Sequence, residues 1–194
     1  WMRPSLALLL IGIAGVVVDY SYTGPPLKLV YRGLGEVAVA VGFGPIMLLG
    51  AYAVQTGAVS WEPFVASLPV AILIALILYV NEIPDRRSDA SAGKRTLVVR
   101  LSPRTVTRIY LVAAVLAFVL IVLAVAAGIM PWPTLIALAA VPLAVRVHSG
   151  IQQHYDSPYT LMSVMGTNVK LHLYVGLLLL AGYLVTLAAV AFLG

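Results

Sequence analysis

The sequence predicts an all-α fold, a polytopic transmembrane helical bundle, and three observations carry that prediction. Hydrophobic residues make up 62% of the 194 residues, charged residues only 10%, and the mean hydropathy is +1.04; soluble domains lie nearer half apolar and a quarter charged. The apolar residues gather in six runs, most of them close to the length of about 20 residues that crosses a hydrocarbon core. The runs lack the two-residue alternation of a barrel wall. A water-soluble globule, a disordered chain and a nucleic-acid-binding domain built on a basic surface are excluded, so the lipid bilayer is the expected partner. The chain has no cysteine, which removes disulfides, zinc–thiolate sites and thiol nucleophiles.

The expected spans are residues 4–20, 36–56, 61–80, 106–129, 132–147 and 170–193, forming one transmembrane domain over 1–194. The first and fifth are short and contain or adjoin prolines (Pro4; Pro131, Pro133, Pro142), which neighbouring helices tolerate within a membrane. On the second span, Gly42, Gly44 and Gly50 permit close helix packing. The connections after the second and fourth spans are short and carry no basic residue. Those after the first, third and fifth are long and polar, and eleven of the twelve lysines and arginines lie in them or at the adjoining span ends, leaving Arg3. The positive-inside rule places those three connections in the cytoplasm and both termini outside, as in a multi-pass protein of the plasma membrane. An outside start at Trp1 with no signal peptide leads us to expect an odd number of helices upstream.

The third span runs directly into Asn81-Glu82-Ile83-Pro84-Asp85-Arg86-Arg87-Ser88-Asp89. Asn81, Asp85 and Asp89 are four residues apart, so a continuous helix would place them on one face. Two carboxylates and an amide are hard oxygen ligands, suited to Mg²⁺ bound through one or two carboxylates, waters and substrate phosphates. Gly93-Lys94-Arg95-Thr96 follows, and Lys94 and Arg95 are candidates for the remaining phosphate charge. Carboxylates, a metal and cations at a membrane surface read as a site for a lipid-linked diphosphate.

The stretch from Asn81 to Leu101, with Asp85, Asp89, Gly93-Lys94-Arg95-Thr96 and Arg100 in place, resembles the second aspartate-rich motif of the UbiA superfamily of intramembrane prenyltransferases. Tyr22-Thr23-Gly24-Pro25-Pro26-Leu27, followed by Tyr31-Arg32-Gly33-Leu34-Gly35-Glu36, is similar to the loop of the branch that prenylates 1,4-dihydroxy-2-naphthoate in menaquinone synthesis. The resemblance implies a nine-helix fold whose two aspartate-rich motifs hold Mg²⁺ on a polyprenyl diphosphate, with an aromatic acceptor. The six spans would then be helices four to nine. The first aspartate-rich motif does not occur in the chain, since Asp85–Asp89 is its one Asp-x-x-x-Asp; half of the metal site is expected here, and no activity from this chain alone.

By that resemblance Asp85 and Asp89 are metal ligands, direct or through water, Asn81 is their amide partner, and Tyr22 lies near the reacting ends. Lys28 and Arg32 are candidates for the diphosphate or the acceptor carboxylate, with lipid headgroups as the alternative. Asn168 and Lys170 are candidates for the acceptor pocket, and Glu36 for capping its helix. His148, His154, Tyr155 and Asp156 match no ligand template and are expected in a solvated loop; His172 is expected as a satisfied bundle residue. Other acceptors of the same superfamily (a hydroxybenzoate, homogentisate, a glycerol phosphate lipid) remain open. A transporter or scaffold would place charges within the spans, which are nearly free of them.

Overall fold

In a hydrocarbon solvent every backbone N–H and C=O needs a partner within the protein, and unbroken helices supply one along each apolar run. The computed structural model describes residues 6–193; Trp1, Arg3 and Pro4, with the start of the first expected span, lie outside the described residues. Six helices follow: α1 Leu6–Thr23, α2 Gly35–Thr56, α3 Glu62–Ser91, α4 Pro103–Ala126, α5 Trp132–His154 and α6 Pro158–Leu193. Each is long and apolar enough to cross a membrane, and no strand occurs among the described residues.

Local chemistry sets the helix boundaries. The Ser102 hydroxyl accepts the Thr105 N–H, and Pro103, whose missing N–H costs nothing in the first turn, opens α4. Gly57 ends α2 at φ 73°. Within α2, Pro45 cannot donate to the preceding turn, and the helix widens into a π-helical turn over Gly42–Ile46. The first part of α5, Trp132–Ala140, is a tighter 3₁₀ helix that relaxes to α-helix at Val141.

The core is centred on α3, which packs against α2, α4 and α6. Leu73, Leu76, Val80 and Ile83 are buried at helical spacing, against Tyr110, Ala114, Ala117 and Ile121 of α4 and Leu171, Val175 and Leu179 of α6. Two polar ties cross this core: the Tyr79 hydroxyl donates to the Val106 carbonyl at 3.1 Å, and the Tyr110 hydroxyl donates to Asn168 Oδ1 at 3.0 Å. Asn168 Nδ2 in turn donates to the Leu76 carbonyl at 2.9 Å, so one amide joins α3, α4 and α6. A Cβ on Gly44 would stand 2.3 Å from the Ala71 Cβ, so that position of α2 requires glycine; Gly42 and Gly50 would meet neighbours at an ordinary 3.7 and 3.5 Å.

Three expected boundaries are corrected. The third helix does not end near residue 80 but continues through Pro84 to Ser91, the fifth runs to His154 rather than 147, and the last begins at Pro158 rather than 170. His148 and His154 accordingly lie on α5 and not in a loop. Hydropathy marks the apolar part of a helix, whereas these three helices continue beyond it with polar side chains.

Candidate active site

The continuous α3 delivers the arrangement that its spacing predicts: Asn81, Asp85 and Asp89 lie on one helix, two successive turns apart, at its polar end. Their surroundings differ. Asp85 is exposed, Asn81 half-buried and Asp89 buried. Lys94 Nζ donates to Asp89 Oδ1 at 2.7 Å, and this bond pushes the ammonium above its ordinary range, against the opposing effect of partial burial.

Four backbone features lock the loop that carries Lys94. Gly93 turns the chain at φ 75°, Lys94 N–H donates to the Asp89 carbonyl at 2.9 Å, and Arg95 N–H donates to the Tyr31 carbonyl at 3.0 Å. A Cβ on Gly33 (φ 74°) would come within 2.8 Å of the Arg95 carbonyl oxygen. The stretch after α1 and the stretch after α3, read separately in the sequence, are therefore one knitted surface. Arg95 and Lys28 are exposed on it; Lys28 stands over the Tyr31 ring at 5.8 Å, and Arg32 donates to the Pro26 carbonyl at 2.9 Å.

Tyr22, at the end of α1, is half-buried, and its hydroxyl lies within electrostatic reach of Glu82, Glu36, Lys94 and Asp89. It also lines a cavity of about 390 Å³ between α1 and α2, whose walls are mostly apolar (Val18, Ala38, Val39, Phe43 and Met47), with Asp19 the one carboxylate on them. An apolar groove thus ends at a cluster of charged and hydrogen-bonding groups. Such a shape matches an amphipathic molecule with an apolar tail and a polar head.

Glu82 was not anticipated as part of this cluster, and Glu36 was expected at a helix cap. Both are buried, and neither oxygen of Glu36, nor Oε2 of Glu82, has a hydrogen-bond partner. Glu36 sits in the first turn of α2, where a carboxylate suits the N-terminal partial charge, and there it faces Glu82.

The other expectations resolve as follows. Asn168 is 2% exposed and spends its amide on Tyr110 and Leu76, which makes it a bridge between helices rather than a cavity wall. Lys170 is exposed on α6. His172 is half-buried with Nδ1 unpartnered, so it is not the satisfied residue expected. Asp156 lies exposed in the turn after α5, as expected, whereas Tyr155 is buried; the two form a clasp in which the Arg86 guanidinium stacks 4.8 Å from the Tyr155 ring centre and pairs with Asp156. That clasp pins the end of α3, next to Asp85, to the turn between α5 and α6.

Among the described residues no three His, Asp or Glu side chains gather tightly enough to hold a metal alone. The oxygen-only donors of Asn81, Asp85 and Asp89 nonetheless fit a hard divalent cation that keeps waters and shares phosphate oxygens.

The family model for the UbiA prenyltransferase family matches residues 1–165. The chain is 33% identical over 174 residues to 2-carboxy-1,4-naphthoquinone phytyltransferase of Synechocystis sp., covering 90% of this chain and 56% of the relative. It is 27% identical over 180 residues to 1,4-dihydroxy-2-naphthoate octaprenyltransferase of Bacillus subtilis, covering 92% and 57%. The protein of that name from Mycobacterium tuberculosis is 34% identical over 143 residues, covering 72% and 47%. No solved structure matches significantly. The chain spans about half the length of the curated relatives it matches. With the family match running from residue 1 to residue 165 and the six-helix bundle in place, the chain belongs to the UbiA prenyltransferase family.

Proposed function

We propose that this chain forms part of a membrane prenyltransferase that moves a polyprenyl group from its diphosphate to 1,4-dihydroxy-2-naphthoate, using Mg²⁺, on the cytoplasmic face of the plasma membrane. The observation that carries the reading is the apolar cavity between α1 and α2 ending at Tyr22, beside the Lys94–Asp89 pair. The activities for which the Synechocystis and Bacillus relatives are named, both naphthoate or naphthoquinone prenyl transfers, support the choice of acceptor.

Asp85, Asp89 and Asn81 would hold the cation against the diphosphate. When bound, Mg²⁺ supplies charge stabilisation for the departing diphosphate. Lys94 and Arg95 supply fixed positive charge to the same leaving group. The allylic C–O bond breaks with its electron pair staying on the diphosphate. The apolar walls of Val18, Phe43 and Met47 hold the tail and keep water from the allylic cation. Tyr22 presents the face of an electron-rich ring near the reacting end. The acceptor ring then forms the new C–C bond and loses its carboxylate as CO₂, which restores its aromaticity. Glu36 and Glu82, with buried unpartnered oxygens, provide acceptors for the hydroxyls of such a ring.

The test uses membranes carrying the full-length protein, Mg²⁺, a labelled prenyl diphosphate and a panel of phenolic and naphthoic acceptors. Asp85→Ala and Asp89→Ala should each reduce transfer on the order of a hundredfold, the scale for removing one group that stabilises developing charge. Unchanged turnover in both variants would remove the pair from the site, and preference for a different acceptor would reassign the substrate.

A further inference from the structure

A second cavity, with basic residues on one wall, lies away from this site, and the proposed chemistry does not use it. It occupies about 430 Å³ between the start of α4 and the second half of α5, and it shares no lining residue with the cavity at Tyr22. Arg104 and Arg108 stand on one wall, one helical turn apart; His148 and Gln152 stand opposite, Tyr155 closes the end and Leu111 forms the inner wall.

The cavity sets two cations side by side. The ion pairs among the described residues are Arg86–Asp156 and Lys94–Asp89, so no described carboxylate neutralises Arg104 or Arg108. Asp156, next to Tyr155, is held by Arg86. The N-terminus of the 24-residue α4 adds its own partial positive charge at the same place. His148 and Gln152 add hydrogen-bonding groups across the gap. The cavity is therefore built for an anion.

Depth identifies the kind of anion. Arg104 is the second residue of α4, at the polar edge of the span, and Leu111 lies about 10 Å further along the helix axis at 1.5 Å per residue. That distance carries a ligand from headgroup level to the acyl boundary. Beyond Leu111 the outward face of α4 continues with exposed Val112, Val115 and Leu116. We infer that this cavity is a binding site for an anionic phospholipid, its phosphate between Arg104 and Arg108 and an acyl chain along Leu111 and Val115. Basic pockets between transmembrane helices on the cytoplasmic side suit such headgroups. The site is independent of the transfer reaction, although its Tyr155 end is the ring on which Arg86 stacks.

The experiment is native mass spectrometry of the full-length protein in detergent, titrated separately with phosphatidylglycerol, phosphatidylcholine and inorganic phosphate. Phosphatidylglycerol should bind at least about tenfold more tightly than phosphatidylcholine, and Arg104→Gln or Arg108→Gln should each weaken it roughly fivefold, the effect of one basic residue at a membrane surface. Arg146→Gln, an exposed arginine on α5 outside the cavity, should leave it unchanged. Equal binding of the two lipids would overturn the proposal, as would an Arg146→Gln loss as large as that of the cavity variants. Inorganic phosphate binding as tightly as phosphatidylglycerol would make the cavity a free-anion site and remove the lipid.

Discussion

Lys94 illustrates how a residue legible as a charge acquires a partner only in the fold. It lies three residues past the end of α3, and the turn at Gly93 swings it back onto Asp89, a buried carboxylate. The bond raises the folded-state pKa of Lys94 above the ordinary 10.5. A raised lysine contributes stability that is fully present below that ordinary value and is lost only as pH climbs through the raised one. Lys94→Gln should therefore lower the thermal midpoint by a constant amount across neutral and mildly alkaline pH. The two proteins should converge above pH 10.5, as followed by thermal unfolding in detergent. A difference that vanished near neutral pH would place the pair apart. Spacing alone exposed Asn81, Asp85 and Asp89. It gave no warning of Glu36 against Glu82, because two acids 46 positions apart meet only when α2 packs on α3.

At the level of elements, helix contacts depend on a few backbone approaches that composition does not rank. Three glycines on α2 looked equivalent in sequence. Only Gly44 has a neighbour that a methyl group would strike, the Ala71 Cβ at 2.3 Å, while the nearest atom to a Cβ on Gly50 would be an Ile11 methyl at 3.5 Å. Gly44→Ala should cost about 1–3 kcal/mol, as overpacking of a tight interface does. Gly50→Ala should be neutral or slightly stabilising, because alanine is the better helix former. Denaturant unfolding of the two variants side by side distinguishes them, and equal behaviour would show that α2 and α3 do not approach as described. Gly182 on α6 was not singled out, yet a Cβ there would stand 2.6 Å from the backbone of Thr134. Its importance depends on α5 crossing α6 at that point, which no local pattern encodes.

For the whole molecule, the charge distribution makes a directional prediction. The basic stretches following α1 and α3 and the turn after α5 share one side of the bundle, joined by the Arg95–Tyr31 and Arg86–Asp156 contacts, opposite the uncharged turns after α2 and α4. The chain has no native cysteine, so single cysteines report topology cleanly. Ala92→Cys, exposed beside Gly93, should react with a membrane-impermeant maleimide only in inverted vesicles. Ala58→Cys, in the exposed turn after α2, should react from outside in intact cells. Labelling of both from the same side would refute the six-span arrangement, and reversal of both would move the site to the other face.

Composition and run length alone determined that this chain is a helical membrane bundle with its polar chemistry on one rim, because a hydrocarbon solvent accepts little besides long apolar helices. Residue spacing also determined which oxygen donors share a helix, since the helical period is fixed by the backbone. Tertiary structure alone decided where α3 and α6 extend beyond the lipid, that Arg86 clasps Tyr155 and Asp156, that Asn168 bridges three helices, and that two acids and an apolar groove converge on Tyr22. Those features join residues distant in sequence. They arise from which helix faces pack together, and local periodicity carries no record of that choice.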